Sequence, residues 1–328
     1  MTATGAADML SIQSQPVPAI NSPDQVLVRV KAAGVNPIDT KLRRNGTFYP
    51  DRMPAVLGCD GAGIVEAVGA EVSRFKPGDE VYYCYGGLGY GSGNYAEYAL
   101  VDQQALAWKP ALLSFEQAAA APLVLITAWE SLYDRARIEI GHSLLIHAGA
   151  GGVGHVAIQI AHEVGARVAT TVSNQDKADF VTELGAEQPI LYTETDFVET
   201  VMAWTKGRGV DIAMDNVGGP LLQQSFPAIR FYGDIVSLLL PDANTDWSIA
   251  RQRNLRSSLE VMLTPQLFNL DKAIVHQAKI LEACANLIDA DKLKIHLSEI
   301  LPLSEAAKAH EMIETGTTTG KIVLSMDV

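Results

Sequence analysis

The run Gly149-Ala-Gly151-Gly152-Val153-Gly154 directly follows the apolar stretch Ser143-Leu-Leu-Ile-His-Ala and opens a segment with apolar residues at helical spacing, Gly152 to Val164. A G-x-G-x-x-G alone is a weak signal, but between a strand and a helix it has a mechanism. The glycines permit a tight turn and let backbone N–H groups approach a pyrophosphate at the positive end of the helix. In this reading Val153, Ala157 and Ile160 pack the helix onto a sheet. The competing reading is a glycine-rich turn with a packing role only.

Which dinucleotide would fit depends on the end of the second strand. An Asp or Glu about 20 residues into such a motif holds a ribose 2′-hydroxyl. Here that region reads Val172-Ser173-Asn174-Gln175, a hydroxyl and two amides without an acid. Asp176 is expected to form a capping pair with Ser173 at the helix start. Lys177 would then lie in the first helical turn, where a cation opposes the helix dipole. A 2′-phosphate on Ser173 and Lys177 accounts for that placement; a solvated surface lysine is the alternative.

Metal chemistry has few candidates. The three cysteines, Cys59, Cys84 and Cys284, are scattered, and all seven histidines lie at position 142 or later. Catalytic zinc takes three ligands from His, Cys and Asp/Glu, and Cys59 with Asp60 falls short. No metal site is expected, and Cys59 reads as a small core residue.

The elements that must position these groups follow two grammars. Between Val26 and Val101 the pattern is β-like: Val26-Leu-Val-Arg-Val-Lys, Gly63-Ile-Val-Glu-Ala-Val and Tyr95-Ala-Glu-Tyr-Ala-Leu-Val, with turn clusters such as Lys76-Pro-Gly-Asp. The run Gly86–Gly93 reads as a mobile loop. After about Ala120 strands alternate with helices: strands at Ser143–Ala148, Arg167–Val172, Pro189–Tyr192, Val210–Asn216, Asp234–Leu240 and Leu259–Thr264. The intervening helices are expected at Gly152–Val164, Asp176–Leu184, Phe197–Thr205 and near Leu221–Ile229. This alternation predicts an α/β architecture with a doubly wound, six-stranded parallel sheet. The tail adds helices at Ala273–Leu287 and Ser304–Glu314 and a strand at Gly320–Ser325.

A chain of 328 residues exceeds the size at which single cores usually stop growing, so two domains are expected. A formal charge of −13 argues against nucleic acid or anionic membranes as partners. The longest uncharged apolar stretch, Ala118 to Trp129, is too short to cross a membrane. No signal peptide is evident, and a cytoplasmic location is expected.

Several segments occur in a familiar order: Val35-Asn36-Pro37-Ile38-Asp39, Gly58-Cys-Asp-Gly-Ala-Gly-Ile-Val, Phe75-Lys-Pro-Gly-Asp-Glu-Val and Asn94-Tyr-Ala-Glu-Tyr. Thr127-Ala-Trp-Glu, the glycine run, Asp215-Asn-Val-Gly-Gly and Gly320-Lys-Ile-Val follow. The series resembles the zinc-independent quinone oxidoreductases of the medium-chain dehydrogenase/reductase superfamily. The resemblance implies a GroES-like, β-rich substrate domain from 1–123 and 265–328 and a Rossmann domain, 124–264, that binds NADPH. It implies cofactor contacts at Asn36, Thr127, Gly151, Gly152, Val153, Ser173, Lys177, Tyr192, Asn216 and Gly218, beside Gly149 of the glycine run. Tyr192 is equally readable as an ordinary strand-end aromatic. Zinc-dependent relatives carry a cysteine where this chain has Asn36, and a His-Glu pair where it has Cys59-Asp60.

Without zinc, the substrates expected are those already poised for hydride, quinones and α,β-unsaturated carbonyls. Asn36 and Tyr49 are the candidate donors to the oxygen that gains charge. Asn36 before Pro37 also reads as a helix cap, and Tyr49 also reads as a packed loop residue. The resemblance suggests a homodimer. Competing functions are an enoyl-thioester reductase, a zinc-free alcohol dehydrogenase, and a catalytically silent NADPH-binding sensor or structural protein.

Overall fold

The structure, a computed structural model, describes residues 1–327. The chain divides into two compact units: Met1–Leu123, Leu263–Asp291 and the chain from Ile295 on form one, and Val124–Met262 with Lys292–Lys294 the other. Strands are numbered along the chain. The first unit holds β1 (Gln25–Val35), β2 (Asp60–Val68), β3 (Glu80–Cys84), β4 (Tyr98–Asp102) and the short β5 (Ala107–Trp108). Alternate residues of a strand face one side. Val26, Val28 and Val30 of β1 are therefore buried together with Val65, Val81, Ala99 and Val101 in one core.

The second unit is a six-stranded sheet of β6 (Ser143–Ile146), β7 (Arg167–Val172), β8 (Gln188–Leu191), β9 (Val210–Asp215), β10 (Ile229–Ser237) and β11 (Arg256–Leu259). Its order is β11-β10-β9-β6-β7-β8, and every pairing is parallel. The chain leaves β6 toward β7 on one side and later returns to place β9 on the other. The order thus reverses between β6 and β9, where doubly wound sheets bind their ligands. Leu145, Ala169, Ile190, Ala213 and Ile235 from five strands fill the core with Val201 and Phe226.

β12 (Leu297–Pro302) and β13 (Lys321–Ser325) return to the first unit and complete its seven-stranded sheet. β1 pairs with β2 along one edge and shares its other edge between two partners. Its first half, Gln25–Arg29, faces β4, and its second, Ala32–Val35, faces β13. Register shifts in the β1–β2 ladder accompany this hand-over. Ala32 opposite Ser325 and Val35 opposite Ile322 bring the chain's last strand beside its first.

The structure moves some expected boundaries. The sixth strand is Arg256–Leu259, and Thr264 begins a short helix with Pro265 in its first turn. β10 starts five residues earlier than the expected Asp234, at Ile229, and β12 was not anticipated.

Candidate active site

The glycine run sits at the carboxyl end of β6, and the helix Gly152–Val164 begins immediately after it with Gly151 at its cap position. Two of the glycines are required by space. A Cβ on Gly149 would lie 2.0 Å from Thr170 Oγ1, and one on Gly154 would lie 2.3 Å from the Ala148 carbonyl oxygen. The turn is held from beneath by His147. Ser225 Oγ donates to the Leu221 carbonyl at 2.7 Å, so it accepts from His147 Nε2 at 2.9 Å. Nδ1 is left as acceptor toward Thr171 Oγ1 at 3.1 Å, and Thr171 Oγ1 accepts from the Ala148 N–H at 3.1 Å. Burial lowers the imidazole to about 4 against the pull of Asp215, so His147 is neutral.

Across the reversal point, Asn216 follows β9, and its Nδ2 donates to the His147 carbonyl at 2.9 Å. Asp215 shapes this second loop: its Oδ1 accepts from the N–H groups of Val217 and Gly218 at 3.0 and 2.8 Å. Gly218 has φ 75°. Asn216 Oδ1 is buried and has no partner among the described residues. A buried acceptor without a donor is costly. An orphaned carbonyl at the switch point, beside a glycine turn and a helix N-terminus, fits a dinucleotide whose amide or hydroxyl groups supply the missing donor.

Ser173 lies just past β7 and Lys177 in the first turn of the next helix, both half-buried, and Tyr192 lies just past β8 with 55% of its surface exposed. The adjacent strand ends are tied by Tyr192 N–H donating to the Val172 carbonyl at 3.2 Å. The expected Ser173–Asp176 capping pair does not form. Asn174 caps the helix Gln175–Glu183, and its side chain accepts from the Lys177 N–H at 3.0 Å. The asparagine wins because it occupies the extended position immediately before the first turn. Thr127 is buried on the helix Pro122–Trp129, and Val153 is half-buried in the first turn after the glycines.

In the first unit, the ends of β1, β2, β3 and β13 converge on a buried polar cluster. Gly34 lies opposite Asp60, and Asp60 opposite Cys84. Asn36 precedes the helix Pro37–Asn45 and is fully buried. Its backbone N–H donates to Asp39 Oδ2 and its Nδ2 to Asp60 Oδ2, each at 2.9 Å. Lys321 Nζ donates to Asn36 Oδ1 and, at 3.0 Å, to the Val35 carbonyl; it lies 3.8 Å from Asp60 Oδ2. The cap position expected for Asn36 is therefore occupied, but its amide is turned to Asp60 and Lys321.

Burial dominates the electrostatics here. It raises Asp60 to about 6, opposed by Lys321, and Asp39 to about 7, opposed chiefly by the Asn36 N–H. It lowers Lys321, which Asp60 draws back up. Each opposite charge offsets part of the other's desolvation. Tyr95 O–H donates to Asp39 Oδ2 at 3.2 Å, and its ring lies edge-on to His310. Cys59 and Cys84 are buried beside the carboxylates with their thiols pushed well up, so both are neutral.

Tyr49 stands apart from this cluster. It is half-buried, its N–H donates to Thr47 Oγ1 at 3.2 Å, and its ring contacts that of Tyr90. Among the described residues no side chain or backbone group bonds its hydroxyl.

Sequence reasoning missed His147, Thr171 and Ser225 beneath the glycine turn, and Lys321 beside Asn36. A histidine closing an apolar strand was the available signal for the first group. Lys321 stands in the quoted segment Gly320-Lys-Ile-Val, but nothing local assigns it a role, since Asn36 lies 285 residues away in sequence.

Residues 22–111 match the alcohol dehydrogenase GroES-like domain and residues 184–324 match a family described as zinc-binding dehydrogenase. A quinone oxidoreductase of Pseudomonas aeruginosa is 34% identical over 94% of this chain and 93% of its own length. This chain belongs to the quinone oxidoreductase family of the medium-chain dehydrogenase/reductase superfamily. Quinone oxidoreductase 1 of Escherichia coli is 33% identical over 94% of this chain and 93% of that protein. The crystal structure of an Escherichia coli quinone oxidoreductase complexed with NADPH superposes with a TM-score of 0.87 at 30% identity, covering 99% of this chain and 98% of that one. The GroES-like and Rossmann folds expected from sequence are thus both present. The same stretch of chain also resembles a segment of a hybrid PKS-NRPS synthetase of Aspergillus violaceofuscus, 32% identical over 97% of this chain but only 8% of that protein. The quinone oxidoreductase family carries oxidoreductase activity, and this chain is an oxidoreductase.

Proposed function

We propose that this quinone oxidoreductase family member transfers hydride from NADPH to a quinone or an α,β-unsaturated carbonyl without a metal ion. The observation that carries the metal-free reading is Lys321. Its ammonium lies between Asn36 and Asp60, two positions where zinc-dependent relatives place ligands, and engages both. A divalent cation at that spot would meet a like charge within a few ångströms in a poorly screened interior. Among the described residues no group of three His, Cys, Asp or Glu side chains could hold a metal.

When bound, NADPH supplies a hydride, two electrons on one proton, and leaves as NADP+. Gly149, Gly151, Gly152 and Val153 would hold the pyrophosphate, and Asn216 and Gly218 the segment near the strand-order reversal. Thr127 would line the same site, and Ser173, Lys177 and Tyr192 would meet the phosphorylated ribose and its base. Support for NADPH over NADH comes from the acid-free end of β7 and a lysine in the next helical turn. The second proton of quinone reduction comes from water. Tyr49, whose hydroxyl is uncommitted, donates a hydrogen bond to the substrate oxygen as negative charge develops. Asn36 is the lesser donor, since its amide already serves Asp60 and Lys321.

The reading extends to assembly and place. β11 is an exposed sheet edge beside the exposed Leu259 and Val261, and a second copy of the chain would cover it. Light scattering that reports only monomer at micromolar concentration contradicts this. No helix among the described residues is long and apolar enough to cross a membrane, and the three cysteines are unpaired and buried, which supports a reducing, cytoplasmic setting. Consumption of NADPH by quinones in chelator-treated protein tests the central reading.

A second reading, reduction of an enoyl thioester, is the alternative that the superfamily resemblance leaves open. Turnover of an enoyl thioester at a kcat/KM above that of every quinone and simple enone would select it.

A further inference from the structure

Three side chains of the first unit close on one another around Tyr49. The turn Tyr49-Pro-Asp-Arg52 is sealed by the Arg52 N–H donating to the Tyr49 carbonyl at 3.0 Å. The rings of Tyr49 and Tyr90 lie with centroids 5.4 Å apart, and the Arg52 guanidinium lies 4.4 Å above the Tyr90 ring. The loop that carries Tyr90 is fixed to this turn at two points. The Phe48 N–H donates to the Leu88 carbonyl at 3.3 Å, and Gly89 packs so closely on Thr47 that a Cβ would lie 2.2 Å from Thr47 Oγ1. Arg52 and Tyr90 therefore hold their places through backbone bonds and packing as well as their mutual contact.

The cluster nevertheless stays open. Tyr90 is 56% and Phe48 50% exposed. Arg52 is exposed, and among the described residues no carboxylate pairs with it, although Asp51 is its neighbour in the chain. This is an uncommitted cation in a chain with 38 acidic and 25 basic residues. A guanidinium stacked on a ring keeps its N–H edge free, and that edge matches the paired oxygens of a carboxylate or sulfonate.

We propose that Arg52 and Tyr90 are specificity-determining residues of the reductase site. Tyr90 packs on a planar substrate whose oxygen meets Tyr49, and Arg52 pairs with an anionic substituent of that substrate. The substrates selected are quinones or enones carrying a carboxylate or sulfonate. The inference rests on the placement of Tyr49 at the substrate.

The test compares kcat/KM for a naphthoquinone sulfonate with that for unsubstituted naphthoquinone, taken as a ratio to cancel intrinsic reactivity. Arg52→Met is expected to lower the ratio about tenfold, with NADPH affinity unchanged. Added salt should shrink the ratio in the parent and leave it flat in the variant. Lys272→Met, which removes an exposed charge that belongs to the helix Asp271–Asp289 and not to the Tyr49–Tyr90–Arg52 cluster, should keep the parental ratio. An unchanged ratio in Arg52→Met overturns the proposal, as does an equal fall in Lys272→Met. Should the parent reduce neither quinone, the reductase reading fails on its own. Calorimetric binding of the sulfonate then decides: an about tenfold loss in Arg52→Met upholds the anion contact, and equal affinity overturns it.

Discussion

Lys321 and Asn36 meet because the last strand of the chain pairs with the first. Val35 lies opposite Ile322, so the residues flanking that pair are neighbours, and the Lys321 ammonium reaches both the Asn36 amide and the Val35 carbonyl. With Asp60 at the adjoining end of β2, three chain segments far apart in sequence share one buried charge pair.

Removing the cation should expose this dependence. Lys321→Met leaves Asp60 buried without its counter-charge, and breaking a buried pair from one side typically costs about 3–5 kcal/mol. Chemical denaturation should show a loss of that order. The double variant Lys321→Met/Asp60→Asn should recover part of it. A single variant as stable as the parent contradicts the pairing.

Stability should also respond to pH through Asp39. Burial raises it from 3.8 to about 7, so the folded state binds this proton more tightly than the unfolded chain. The resulting stabilisation is fully present below 3.8 and is lost as pH rises through about 7. Asp60, raised to about 6, acts in the same direction. Asp39→Asn keeps an acceptor for the Asn36 N–H and removes the titration. Its stability relative to the parent should improve between acid and mildly alkaline buffer by on the order of 1–4 kcal/mol. A difference independent of pH contradicts the shift.

Cofactor choice is tested at the first turn after β7. Lys177→Ala should weaken NADPH by about 1.5–3 kcal/mol, the usual value of a charge-assisted contact, and leave NADH nearly unchanged. Titration of both cofactors reads this directly. Equal weakening of the two would remove Lys177 from the 2′-phosphate.

The two candidate donors separate cleanly. Tyr49→Phe deletes one hydroxyl and should lower turnover by roughly 1–2 kcal/mol in activation free energy, less than in sites acting on unreactive carbonyls. Thermal stability and NADPH affinity should not move. Asn36→Ala strips partners from Asp60 and Lys321, so its main effect should be unfolding at lower denaturant, by about 1–3 kcal/mol. Parental turnover in Tyr49→Phe on several quinones and enones would leave hydride transfer to cofactor positioning alone.

What the sequence made legible is what local pattern controls. The helix Gly152–Val164 and the strand Arg167–Val172 form where periodicity and the glycine run place them. The sixth strand slipped because β11, Arg-Ser-Ser-Leu, is a polar sheet edge, while the apolar run after it was the stronger strand signal. Ser173 just past β7 and Lys177 in the next helical turn lie where chain order puts them. The inward turn of the Asn36 amide could not be read that way, since it depends on a lysine that only strand pairing delivers. A lysine in a terminal strand also reads as surface, because lysines seldom bury without a partner.

The most direct test uses protein stripped with a strong chelator and shown by elemental analysis to hold less than one metal ion per ten chains, on the order of background. Such protein should oxidise NADPH in the presence of a quinone or enone at the untreated rate, with one substrate reduced per NADPH consumed. Added zinc should not raise the rate, as expected where an ammonium already occupies the cation's place. Activity lost on stripping and restored by zinc, or no NADPH consumption with any quinone or enone, would contradict metal-free hydride transfer.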